Sequence, residues 1–147
     1  MRVRRPSRAR PVDPQGQTAM KASAKEPFSA VGGAASPELR RVCDFLRGLI
    51  TSLDMACVEV VWARQRIASF GVGPRKMSEH YAYLSVHASH VNLGFYHGAA
   101  LKDPGGILEG TGKRLRHVKL RGLAGARSPA VHRLLREAIA ERRRALA

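Results

Sequence analysis

The stretch YAYLSVHASHVNLGFY, residues 81–96, decides the fold. Tyr81–Val86 has the alternating pattern of a strand. His90–Tyr96 puts Val91, Leu93 and Phe95 on one side and Asn92, Gly94 and Tyr96 on the other. Ser89-His90 between them reads as a hairpin turn. Strands joined this closely pair antiparallel, because a parallel pair needs a crossover of about a dozen residues or more.

Further strands lie on both sides of this hairpin. Upstream, CVEVVWA contains a β-branched run, Val58–Trp62. Residues 64–79 read as a loop holding a short strand at Ile67–Phe70. Downstream, Leu115–Leu120 alternates again, with Arg116, Val118 and Leu120 in one phase and His117, Lys119 and Arg121 in the other. The outermost segments are helical. Ser36-Pro37-Glu38 is a start signal, with a capping hydroxyl, a proline at the first helical position and an acid near the positive helix end. Leu39, Val42, Leu46, Leu49, Ile50 and Leu53 then fall on one face and predict a helix over 37–54. Ser128-Pro129 repeats the signal ahead of Val131, Leu134, Leu135, Ala138 and Ile139, and Arg142 to Arg144 complement the dipole at the far end. The order predicts an α+β fold: an N-terminal helix, an antiparallel sheet of three to five strands and a C-terminal helix, with the helices on one face. No helix separates the strands, which argues against a doubly wound sheet.

The 147 residues carry 26 Lys and Arg against 11 Asp and Glu, a formal charge of +15, with 44 % hydrophobic residues. That is one domain's length and enough apolar material for a core without metal or disulfide. No stretch approaches the ~20 apolar residues of a membrane span. Residues 1–35 are rich in Pro, Gly, Ser, Ala and charge, and read as a disordered basic tail ahead of a single domain over 36–147. Residues 1–27 hold seven bases and two acids, a net of +5. Residues 36–147 hold nineteen bases and nine acids, a net of +10, so the domain is basic in its own right. Pro6, Pro11 and Pro14 disfavour the amphipathic helix of a transit peptide, and Met20 offers a second start, with a basic arm as the alternative for residues 1–19. Cys43 and Cys57 show no CxxC spacing and read as buried free thiols suited to a reducing cytoplasm.

The most unusual block is Gly105–Arg121, where glycines adjoin Lys113, Arg114, Arg116, His117, Lys119 and Arg121. Glycines let backbone N–H groups approach a ligand and the bases supply charge, a combination that holds phosphate or carboxylate. The block is not a Walker A loop, since no Ser or Thr follows Lys113. Candidate ligand-binding residues are Gly110, Gly112, Lys113, Arg114, Arg116, His117 and Lys119, with His97 flanking the block. The other reading stays open: a turn-rich connection followed by a strand with a solvated basic face. Histidines 80, 87, 90 and 97 invite a metal reading. However, His87 and His90, three apart, would face opposite ways on a continuous strand, and no HExxH occurs, so no metal site is expected. Trp62, Tyr81, Tyr83, Phe95 and Tyr96 read either as core or as a stacking platform for bases. No GxSxG, catalytic Cys–His signature or paired carboxylate appears, so no catalytic residue and no cofactor are expected.

GVGPRKMSEHYAYLSV (71–86) followed by VNLGFYHGAALKDPGGILEGTGKRLRHVKLR (91–121) resembles the YdhG-like domain family, a bacterial domain family of unknown function. The resemblance covers about residues 38–141 and is most specific from Asp103-Pro through Glu109-Gly-Thr-Gly-Lys113 to Arg116-His117. It implies a compact α+β domain. It also implies a frataxin-like iron-chaperone alternative, because some members have been described in that role. Iron handling of that type uses a crowded acidic surface, whereas Glu38, Asp44, Asp54, Glu59, Glu79, Asp103, Glu109, Glu137 and Glu141 are dispersed along a basic domain. The expected partners are an anionic small molecule or, alternatively, nucleic acid bound without sequence preference.

Overall fold

The computed structural model describes residues 27–147. Five strands, β1 (Val58–Trp62), β2 (Ile67–Gly71), β3 (His80–Val86), β4 (Val91–Phe95) and β5 (Arg116–Leu120), form one sheet in the order β1-β2-β3-β4-β5. Every neighbouring pair is antiparallel. The fold is α+β, a meander of adjacent strands. The helices are α1 (Ser29–Gly32), α2 (Pro37–Leu53), α3 (Lys76–Glu79), α4 (Leu123–Ala126) and α5 (Pro129–Leu146).

Both long helices start as their sequences dictate. The Ser36 hydroxyl accepts the Leu39 N–H at 3.2 Å, and the Ser128 hydroxyl accepts the Val131 N–H at 3.3 Å. Directly opposed residues in an antiparallel pair share a face. The register therefore groups Val61, Ala68, Leu84, Leu93 and Val118 in one row across the sheet. All five are buried, and the apolar faces of α2 and α5 join them in the core through Leu46, Ile50, Leu134 and Leu135.

The opposite sheet face is held by a different device. Gly94 on β4 faces Tyr83 on β3. A Cβ on Gly94 would come within 2.0 Å of the Tyr83 ring, so only glycine lets that ring lie across β4. Tyr83 also meets Tyr96 at 5.1 Å between ring centroids.

The β2–β3 register slips between Phe70 and Gly71, leaving Tyr81 as the extra residue of a bulge. His80 and Tyr81 are thereby sent to different places. Tyr81 donates its hydroxyl to buried Asp54 at the end of α2, at 2.8 Å, and Arg143 of α5 pairs with the same carboxylate at 2.5 Å. Arg142 of α5 donates to the Ser78 carbonyl at 2.5 Å. The basic end of α5 is thus fastened to α2 and to the entry of β3, a tighter role than complementing the helix dipole.

Several expectations need adjustment. Phe28, Val31 and Ala35 belong to the core, so ordered packing begins before residue 36. The sparse apolar residues of that segment suffice because α1 turns them inward, and Arg47 covers Phe28 at 4.8 Å. The remainder of the expected tail, the second start at Met20 and the transit-peptide question fall on residues 1–26, outside the described residues. The short strand expected at Ile67–Phe70 is β2, and the rest of the expected loop 64–79 also holds the short helix α3. The hairpin tip lies one residue earlier than Ser89-His90: His87 N–H donates to the His90 carbonyl, leaving Ala88 and Ser89 at the turn. Since the chain reverses there, His87 and His90 do not face opposite ways. Their rings stack at 4.7 Å. Among the described residues no helix is long and apolar enough to cross a membrane.

Candidate functional site

The connection from β4 to β5 is the expected glycine-rich block, and its backbone is largely committed to itself. Asp103 accepts the N–H groups of Ile107 at 3.1 Å and Leu108 at 2.8 Å through its carboxylate, and that of Gly106 at 3.0 Å through its carbonyl. Glu109 exchanges both backbone hydrogen bonds with His117 and adds a one-residue bridge on the outer edge of β5. Pairing an exposed edge this way blunts a surface that would otherwise recruit another strand. The amides from Gly106 to Glu109 are therefore not available to cradle an anion.

Past Glu109 the chain turns sharply. Gly110 has φ +124, a conformation open to glycine and strained for other residues. Arg116 closes the turn by donating to the carbonyls of Gly112 and Leu115, each at 2.7 Å. Of the candidate residues, Gly110, Gly112 and Arg116 shape the loop. His117 lies 3.6 Å from the Glu109 carboxylate, and Lys119 is exposed on the same face of β5, away from the helices.

The turn delivers the other candidates to one place. The Ala99 N–H bonds the Arg114 carbonyl at 2.9 Å, tying the 3₁₀ turn Gly98–Ala100 to the end of the loop. A groove of about 320 Å³ opens there, lined by His97, Ala99, Ala100, Lys113, Arg114 and Glu141. Lys113 and Arg114 are exposed and their side chains form no ion pair among the described residues. His97 donates from Nε2 to the Met77 carbonyl at 2.7 Å, which fixes its ring and leaves Nδ1 for other chemistry. Partial burial holds its pKa below the ordinary value; the Met77 carbonyl opposes this, while Arg142 and Arg114 add to it.

Among the described residues Glu141 is the one acid in the groove, and sequence reasoning did not associate it with the loop because α5 brings it there from far along the chain. Arg142 grips it with two hydrogen bonds, at 2.8 and 2.9 Å, and holds its carboxyl below the usual range. Its charge is met from the protein side, so the two free cations dominate the mouth. No signal within the loop could have found it. The unusual Glu-Arg pair near the end of an amphipathic helix is the only trace.

A second buried polar cluster lies elsewhere on the sheet. Ser69 Oγ is 2.5 Å from His80 Nδ1 and 2.9 Å from the Tyr96 hydroxyl, and all three residues are buried. Burial drives the His80 pKa from 6.5 to about 4; the Gly73 backbone offsets part of this and Lys76 reinforces it. A neutral imidazole here shares a hydrogen bond with Ser69 and serves the packing.

Comparisons with protein-family models, with curated proteins and with solved structures gave no match.

Proposed function

We propose that the chain is a non-enzymatic YdhG-like binding domain that holds a small phosphate- or carboxylate-bearing ligand in the groove of His97, Lys113 and Arg114. The observation that carries this reading is the convergence of three candidate residues, His97 after β4 and Lys113 and Arg114 from the loop, on one groove whose only acid among the described residues is already paired. Two unpaired cations side by side attract an anion, and Arg114 can take a phosphate or carboxylate edge in a two-bond fork. Gly110 and Arg116 support the site by shaping the turn that carries Lys113 and Arg114. The proposal sets the domain in the cytoplasm, where Cys43 and Cys57, both free thiols, would stay reduced. The iron-chaperone alternative gains nothing from the side-chain arrangement: among the described residues no group of three or more His, Cys, Asp or Glu could hold a metal ion.

The test is calorimetric titration of the full chain with pyrophosphate and, separately, citrate. Binding that disappears in Lys113→Ala/Arg114→Ala, with an unchanged melting temperature, supports the reading. Equal binding by wild type and variant, or no heat from either anion, overturns it.

A further inference from the structure

Helix α5 uses its arginines in two ways. Arg142 and Arg143 are tied to Ser78, Glu141 and Asp54. Arg133 and Arg136, on the outer side, are exposed and form no ion pair among the described residues. A groove of about 680 Å³ runs beside them, flanked also by Arg127 and His132. Arg127 enters from the end of α4, its guanidinium 5.6 Å from the Phe45 ring centroid, which steadies it beside α5.

Arg133 and Arg136 contribute no ion pair to the fold among the described residues. Like charges held together oppose compaction; Arg127 caps the end of α4 through its backbone N–H, but among the described residues none of these guanidinium groups pairs with a carboxylate. The groove also suits a small molecule poorly. Its apolar lining is limited to Pro129 and Ala140, whereas pockets for small ligands are mostly apolar and enclose them. What it offers is a row of guanidinium forks, the group best matched to phosphate. The row continues to exposed Arg144, twelve residues beyond His132. That length of helix spans about 18 Å, over which duplex DNA presents roughly ten phosphates.

We infer that the outer face of α5 is a docking surface for the phosphate backbone of a nucleic acid, bound without sequence preference through Arg127, Arg133 and Arg136. It is separate from the His97 groove and stands or falls independently of that proposal. Glu137 is the only acid among the described residues lining the α5 groove, and its Oε1 is buried without a hydrogen-bond partner among them. It opposes an incoming phosphate and sets a limit on affinity.

The test is fluorescence anisotropy of the full chain with a labelled 20-base-pair duplex of mixed sequence, from 50 to 200 mM salt. Each phosphate contact contributes about 0.9 to the slope of log K against log salt. Arg133→Ala/Arg136→Ala should lower that slope by ~1.8, and counterion release alone gives a loss on the order of 60-fold at 0.1 M salt. Both side chains are exposed, so the melting temperature and pyrophosphate binding should stay as in wild type. Glu137→Gln should bind the duplex more tightly. A wild-type slope and affinity in the double variant, failure of the wild type to bind the duplex at 50 mM salt, or weaker binding by Glu137→Gln would each overturn the inference.

Discussion

Lowering the pH should destabilise this domain through one buried imidazole. His80 has no solvent exposure, and its Nδ1 sits 2.5 Å from Ser69 Oγ. Protonation would place a charge in a dry site and make both ring nitrogens donors, each needing an acceptor. The folded pKa is about 4, against 6.5 for a free imidazole. The unfolded chain therefore binds a proton that the folded chain refuses, and stability falls as pH drops below 6.5 until it levels off below 4. At 1.36 kcal/mol per tenfold change, the full penalty is ~3 kcal/mol and the penalty at pH 5 is roughly 2 kcal/mol. With a urea dependence of about 1.5 kcal/mol/M, the full penalty moves the unfolding midpoint by roughly 2 M. The assay is urea unfolding at pH values from 7 to 4, for wild type and for His80→Asn, which keeps an acceptor near the Nδ1 position. The variant should start lower at pH 7 and lose less between pH 6.5 and 4. Parallel pH profiles for the two proteins would refute the argument.

Other perturbations bear on the remaining parts of the structure. Gly94→Ala drives a methyl group into the Tyr83 ring and should cost about 1–3 kcal/mol, as overpacking does; thermal melts should show part of the loss recovered when Tyr83→Ala is added, because the two changes share one contact. Tyr81→Phe removes a hydrogen bond to the buried Asp54 carboxylate and should cost about 1.5–3 kcal/mol in urea unfolding. His97 is held below its ordinary pKa in the groove, so protonation as the pH falls below 6.5 adds positive charge there. Pyrophosphate affinity should rise in that direction, and His97→Asn should flatten the rise.

The strands and the long helices were legible because their signals are local. The alternation of Val91, Leu93 and Phe95 fixes which side of β4 is buried, and the Ser-Pro starts fix where α2 and α5 begin. What escaped the sequence depends on distance along the chain or on a single residue of register. The bulge at Tyr81 is invisible in an alternating pattern, yet it sends His80 into a polar cluster and Tyr81 to Asp54. Phe28 and Val31 lay within a segment whose average composition resembles a tail. The candidate site was half legible. The glycine-plus-base block was found, but its division of labour was not, since Arg116 shapes the turn while Lys113 and Arg114 face the groove. That division follows from the φ of Gly110 and from the bridge between Glu109 and His117, neither of which a one-dimensional pattern encodes.

The most direct measurement is a two-dimensional ¹H–¹⁵N NMR titration of the full chain with pyrophosphate. If the groove binds anions, saturable shifts appear at the amides of Ala99, Ala100, Lys113 and Arg114, while the amides of Ile107 and Leu108, held by Asp103, stay in place. Shifts confined to other surfaces, or no saturable shift at millimolar pyrophosphate, would contradict the proposed site.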